Sequence, residues 1–139
     1  MDETFYTRQT DLVNPALLTI PIGIIGAGGI GSWTALALGK LGCSNLTVWD
    51  YDVVEAGNVA PQLYTSLDIG QEKTHALQNR LSLLLENPIH VRSGKIEDNL
   101  GELENYQVVI SAVDDMEARG TIYNTLKPHH KTLIDGRMG

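Results

Sequence analysis

Cysteine is almost missing from this chain: Cys43 is the one thiol in 139 residues. A single thiol forms neither an internal disulfide framework nor a cysteine-only zinc site. Basic residues are also scarce. Ten Lys and Arg stand against 17 Asp and Glu, and the net charge is −7. That deficit argues against general binding to nucleic acid or anionic lipid, which needs a basic face. It leaves room for a local basic pocket that takes a phosphate. No apolar run approaches the ~20 residues of a bilayer span. The opening Met1-Asp-Glu-Thr-Phe has no apolar signal core, so a cytoplasmic protein is expected, with no membrane and no nucleic acid as partner. What is present is ordinary for a globular domain: 42% hydrophobic and 19% charged residues. That composition excludes disorder as the dominant state, and this length supports one self-sufficient core.

The pattern sharpens after residue 20. Asp11–Leu18 reads as a short helix or turn. Ile22-Gly-Ile-Ile reads as a buried strand, and Ile30 to Gly42 as a helix stopped by Gly42. Leu46-Thr-Val-Trp is a second strand running into Asp50. Residues 51–69 have no clean period. A helix is expected from about Gln71 to Leu85, stopped by Asn87-Pro88. His90-Val-Arg is a weak third strand, Val108–Val113 a fully apolar fourth, and Thr132–Asp135 a fifth. Met116 to Leu126 is the intervening helix. Apolar strands alternating with amphipathic helices imply an α/β fold: a Rossmann-like, doubly wound, mainly parallel sheet with helices on both faces. Right-handed crossovers predict the strand order 3-2-1-4-5. Residues 1–20 read as an N-terminal arm and 21–139 as the domain proper.

The first turn reads Gly26-Ala27-Gly28-Gly29-Ile30-Gly31-Ser32. Its G-x-G-x-x-G spacing falls directly between a strand and a helix. Gly26 permits the tight turn, Gly28 a close backbone approach to phosphate, and Gly31 the packing of helix on strand. The helix N-terminus then offers free N–H groups and the positive end of its dipole. Asp50 follows at the spacing of a carboxylate that accepts ribose hydroxyls.

Further acids point to a particular nucleotide. Asp50 and Asp114 both fall at carboxyl ends of strands, where doubly wound sheets bind ligands. A carboxylate beside a polyphosphate repels it unless a cation intervenes. Mg²⁺ takes one or two carboxylates plus phosphate oxygens and resolves the conflict. Lys73, near the start of the second long helix, can act as a point charge on a phosphate. The set suits ATP with Mg²⁺ better than a nicotinamide cofactor.

These residues carry a family resemblance. Gly26-Ala-Gly-Gly-Ile-Gly-Ser, Asp50-Tyr-Asp-Val-Val-Glu with Asn58 and Gln62, Asp68-Ile-Gly-Gln-Glu-Lys73, and Val113-Asp114-Asp115 with Arg119 occur in the order found in the ThiF/MoeB family. Tyr6-Thr7-Arg8-Gln9 is similar to that family's Tyr-Asn-Arg-Gln segment. The resemblance implies ATP-dependent adenylation of the C-terminal carboxylate of a ubiquitin-like or sulfur-carrier protein, with release of pyrophosphate. It implies Asp50 on the ribose, Lys73 and Asn58 on phosphates, and Asp114 on Mg²⁺. Gly29, Asp52 and Gln62 join Gly26, Gly28 and Gly31 in the implied nucleotide site. Arg8 matches an arginine that reaches the γ-phosphate in a neighbouring subunit, which implies a homodimer. One departure stands out. The family carries Arg just before Gln62's position, and here that residue is Pro61. Arg137 is the candidate substitute for the missing charge. The chain reads as the N-terminal, ATP-binding portion of such an enzyme.

The remaining groups read as structural. Cys43 is expected as a small buried apolar residue. Trp33 and Trp49 are expected to pack in the core, and His75, His90, His129 and His130 lack ligand spacing. Glu97, Asp98, Glu102 and Glu104 read as a solvated loop. Asp52 and Glu55 are candidates to brace the loop after the second strand, and Asp115 to cap the next helix. Two other functions stay open. One is a nucleotide-binding but catalytically weak regulatory or scaffold relative, which Pro61 favours. The other is an NAD-dependent oxidoreductase domain, which leaves Asp114, Lys73 and Arg8 without roles.

Overall fold

A computed structural model describes residues 14–129 and 131–136. Five parallel strands form one sheet: β1 (Ile22–Ile25), β2 (Leu46–Asp50), β3 (His90–Ser93), β4 (Val108–Ser111) and β5 (Thr132–Asp135). Their order is β3-β2-β1-β4-β5, as the alternating pattern predicted. Three α-helices connect them: α1 (Gly29–Leu41), α2 (Lys73–Ser82) and α3 (Met116–Leu126).

Side chains alternate across a strand, so each strand feeds two faces. Ile22, Ile24, Leu46, Val48 and Ile110 join Ala35 of α1 and Ala76, Leu77 and Leu81 of α2 in one apolar cluster. Ile25, Trp49 and Val109 join Ile122 and Leu126 of α3 in the other. Burial on both faces is why β1 and β4 read as unbroken apolar runs rather than alternating ones. Each fully buried Ile, Leu or Val contributes about 1.5–3 kcal/mol relative to exposure. Trp49 is 2% exposed, and its Nε1–H donates to the Tyr106 hydroxyl at 2.8 Å, which satisfies the one polar atom that it takes into the core. Cys43 is buried as expected, and burial raises its thiol pKa, so it packs as a thiol.

Four expectations are corrected. Trp33 is 47% exposed on α1, because its Nε1–H reaches outward to the Pro61 carbonyl at 3.0 Å. The second long helix starts two residues later than expected, at Lys73, with Glu72 as its N-cap, and gives way after Ser82 to turn-type bonds at Leu83 and Leu84. The fourth strand ends at Ser111, because the chain must turn there to bring residues 112–115 over the sheet's end. The acidic stretch is not a plain loop. It forms two 3₁₀ turns, Ile96–Asp98 and Leu100–Asn105, anchored by buried Ile96 and Leu103 while the acids face outward. At the N-terminal side, a 3₁₀ turn spans Pro15–Thr19, with the Asn14 side chain accepting from the Ala16 N–H. Gly42 terminates α1 with φ +114°, as the pattern predicted.

Candidate functional site

The carboxyl ends of β1, β2 and β4 surround a cavity of about 230 Å³. The glycine loop forms one wall. Gly26 has φ +109°, and a Cβ there would lie 2.7 Å from the Ala112 carbonyl oxygen. A Cβ on Gly31 would lie 1.7 Å from the Gly26 carbonyl oxygen. The loop therefore closes onto the helix only because both residues lack side chains. Gly28 is the N-cap of α1 and has no side-chain capping bond, and it lines the cavity. An uncapped helix start facing a cavity is suited to an anion.

Asp50 ends β2 and braces this loop. Its Oδ2 accepts from the Ala27 N–H at 2.7 Å, and its Oδ1 accepts from the Asp52 N–H at 2.8 Å. Each carboxylate oxygen has acceptor capacity beyond its one bond, and the residue lines the cavity. Tyr64 holds Ala27 from the other side, its hydroxyl donating to the Ala27 carbonyl at 2.6 Å. Burial, with Asp50 and Asp68 nearby, raises the Tyr64 phenol far above its ordinary range, so it stays a donor. Asp52 lines the cavity, and its carboxyl pKa is raised by burial and then by the Asp50 charge.

Lys73 opens α2 and lines the cavity. Its N–H donates to the Asp52 carbonyl at 3.0 Å. It is 7% exposed and forms no ion pair among the described residues. A sequestered ammonium without a fixed counter-ion is poised for a ligand's charge. The loop that presents it is held by Asp68. Burial alone would raise that carboxyl, but the Thr65 N–H and the Arg80 guanidinium outweigh burial and lower its pKa. Gln62 also lines the cavity, and its Oε1 is a buried atom without a hydrogen-bond partner among the described residues.

Asp114 lines the cavity from the β4–α3 loop, and its carboxylate has no hydrogen bond among the described residues. Asp115 caps α3, accepting from the Glu117 N–H at 2.9 Å. The sequence-derived site thus divides. Gly26, Gly28, Asp50, Asp52, Gln62, Lys73 and Asp114 share one cavity. Gly29 and Gly31 shape the loop from behind, within α1. Asn58 does not line the cavity. Its Oδ1 accepts from the Glu55 N–H at 2.8 Å, in a reciprocal capping box with the Glu55 side chain. Arg8 and Arg137 lie outside the described residues. Glu97 is exposed, as read from the sequence, and also lines the cavity, as do Tyr51 and Ile96. Its signal was available, since it lies shortly after the carboxyl end of β3. Among the described residues no group of three or more His, Cys, Asp or Glu could hold a metal. A protein-only cage is therefore not built here. The donor set fits an ion shared between one carboxylate and a ligand's phosphates, the usual arrangement for Mg²⁺.

An all-parallel sheet, a glycine loop closing on a helix start and a ligand cavity at the strands' carboxyl ends define a Rossmann-like α/β domain. The ThiF family model matches residues 10–138, and the chain belongs to that family. It is 33% identical over 117 residues to "Adenylyltransferase and sulfurtransferase MOCS3" of Anopheles gambiae, covering 81% of this chain and 26% of that protein. It is 34% identical over 115 residues to "Ubiquitin-like modifier-activating enzyme 5" of Dictyostelium discoideum, covering 71% of this chain and 30% of that protein. The chain thus spans about a quarter to a third of the length of these relatives. Among solved structures, E. coli tRNA N6-threonylcarbamoyladenosine dehydratase, TcdA, in complex with ATP, superposes with a TM-score of 0.85 at 22% identity, over 99% of this chain and 62% of that one. That likeness concerns the fold. No helix among the described residues is long and apolar enough to cross a membrane.

Proposed function

We propose that this chain is the nucleotide-binding part of an adenylyltransferase that uses ATP and Mg²⁺ to activate the C-terminal carboxylate of a ubiquitin-like or sulfur-carrier protein. The observation that carries this reading is the convergence of Gly28, Asp50, Gln62, Lys73 and Asp114 on one cavity. Family membership and the named activities of the relatives support it.

In the reaction, a carboxylate oxygen attacks the α-phosphorus of ATP. The bond from that phosphorus to the bridging oxygen breaks, and pyrophosphate leaves with the electron pair. No proton transfer is needed, so catalysis is positioning and charge neutralisation. In this reading the loop amides and the α1 dipole hold phosphate, Lys73 adds a point charge, and Asp50 accepts from the ribose. Gln62 lines the same cavity and belongs to the nucleotide site in this reading. Asp114 would hold Mg²⁺, which would supply positive charge against the polyphosphate and the leaving pyrophosphate. Arg8 belongs to a second copy's site in a homodimer. The test is exchange of labelled pyrophosphate into ATP. It should require Mg²⁺ and a ubiquitin-like or sulfur-carrier protein, and NAD should neither bind tightly nor compete.

A second reading has its own observation. Pro61 stands where the family carries a phosphate-binding arginine, and it offers only its carbonyl, which accepts from Trp33. A catalytically weak regulatory or scaffold subunit would bind Mg·ATP yet give no exchange with any carrier protein.

A further inference from the structure

Beyond the cavity wall, a partly buried ion pair ties α3 to the sheet. Ser111 ends β4 and Asp135 ends β5, and the two are register partners. The Gly136 N–H donates to the Ser111 carbonyl at 2.9 Å. From α3, the Arg119 guanidinium Nη2 pairs with Asp135 Oδ2. The Arg119 side chain is 10% exposed, and its Nε and the Ser111 hydroxyl are buried atoms without hydrogen-bond partners among the described residues.

An ionic tether in such a place is a poor device for stability alone. Apolar side chains of similar volume would hold the helix to the strand at least as well, without desolvating the Arg119 guanidinium, which is 10% exposed while its partner Asp135 stays 39% exposed. What a directional pair adds is a fixed seat for the first turn of α3. That turn carries one end of the loop presenting Asp114. The Arg119 N–H donates to the Asp115 carbonyl at 3.1 Å, and Asp115 in turn caps the helix through the Glu117 N–H. At the loop's other end, the Ala112 N–H donates to the Ile25 carbonyl at 2.8 Å. Asp114 sits between these two anchors, and none of them holds its carboxylate directly.

We propose that Arg119 is a positioning residue: through Asp135 it fixes the seat of Asp114, and so sets the affinity of the cavity for a nucleotide-bound divalent cation without touching the nucleoside. This rests on reading the cavity as a nucleotide site. Residues that orient a metal's ligand commonly govern metal affinity although they never meet the ion.

The test is calorimetry on the full chain with two probes, AMP in EDTA and ATP with saturating Mg²⁺. Arg119→Gln and Asp135→Asn should each weaken Mg·ATP binding by about tenfold and leave AMP affinity unchanged. Arg119→Lys, which keeps the charge, should recover part of the loss. Thermal melts on the same samples separate unfolding from local misplacement. Parallel loss of both ligands, or a lowered melting temperature with Mg·ATP affinity intact, would overturn the proposal while leaving the nucleotide reading in place. Failure of the unmodified chain to bind either ligand would overturn both.

Discussion

Asp114 and Asp115 are neighbours with different surroundings, and the difference decides what each can do. Both residues line the cavity, but the Asp115 carboxylate is engaged by the Glu117 N–H at the start of α3, while that of Asp114 has no such bond among the described residues. Asp114→Ala should therefore abolish Mg²⁺-dependent ATP binding with little change in the melting temperature. Asp115→Ala should act differently, costing about 1 kcal/mol in urea unfolding through the lost cap and lowering Mg·ATP affinity only in part. Calorimetry paired with denaturation distinguishes the two. If both substitutions act alike, the division of labour at the β4–α3 loop is wrong.

At the scale of elements, the segment between β2 and α2 is a shaped piece of backbone. Residues 52–54 run beside 70–73, with the Val54 N–H donating to the Gln71 carbonyl at 2.8 Å and the Lys73 N–H to the Asp52 carbonyl at 3.0 Å. Asp68 locks this arrangement to α2, accepting from the Thr65 N–H at 2.8 Å and from Arg80 at 2.9 Å. The ends of the segment set the positions of Asp50 and Lys73, so the Asp68–Arg80 pair supports the site from behind. The Asp68 carboxyl pKa is lowered in the folded chain: burial pushes up, but the Thr65 and Arg80 bonds outweigh it. A lowered folded pKa means that the stabilisation is fully present above the unfolded carboxyl pKa. It is lost as pH falls through the folded value. Asp68→Asn should cost about 2 kcal/mol at neutral pH. Its deficit relative to the unmodified chain should shrink below about pH 4. Urea titrations of both chains across that range provide the measurement, and a deficit independent of pH would remove the ionic part of the argument.

For the whole molecule, charge is the governing quantity. The chain carries −7 overall, and Lys73 is the cation among the residues that line the cavity, facing Asp50, Asp52, Glu97, Asp114 and Asp115. ATP brings about four more negative charges, so a nucleotide-binding role calls for cations from elsewhere. Mg²⁺ is one source, and Arg8 of a second copy is the other under the proposed homodimer. Mixing Arg8→Ala chains with Asp114→Ala chains under exchange conditions should create heterodimers with one intact site. Those mixtures should recover part of the pyrophosphate release that each variant loses alone. Activity of the mixture no greater than that of either variant would show that no arginine is shared between subunits.

The apolar runs of β1 and β4, the helical spacing after each and the glycine loop determined the sheet, its order and the end of it at which the cavity lies. These signals are local, since period and turn chemistry are written in neighbouring residues. Asp50, Lys73 and Asp114 were legible for the same reason, because each sits at a strand's or helix's end. Tertiary structure decided what depends on residues distant in sequence. Trp33 left the core because the Pro61 carbonyl, 28 positions away, takes its N–H. Asn58 turned into a backbone cap because Glu55 folded back on it. Glu97 reached the cavity because Ile96 anchored its turn beneath Trp49 in the second core. The Gln62 amide oxygen lost its water and gained no protein partner only when the folded chain enclosed it. Periodicity reports which face of an element is apolar. Which polar atoms lose their water, and which partners replace it, is settled only when the elements meet.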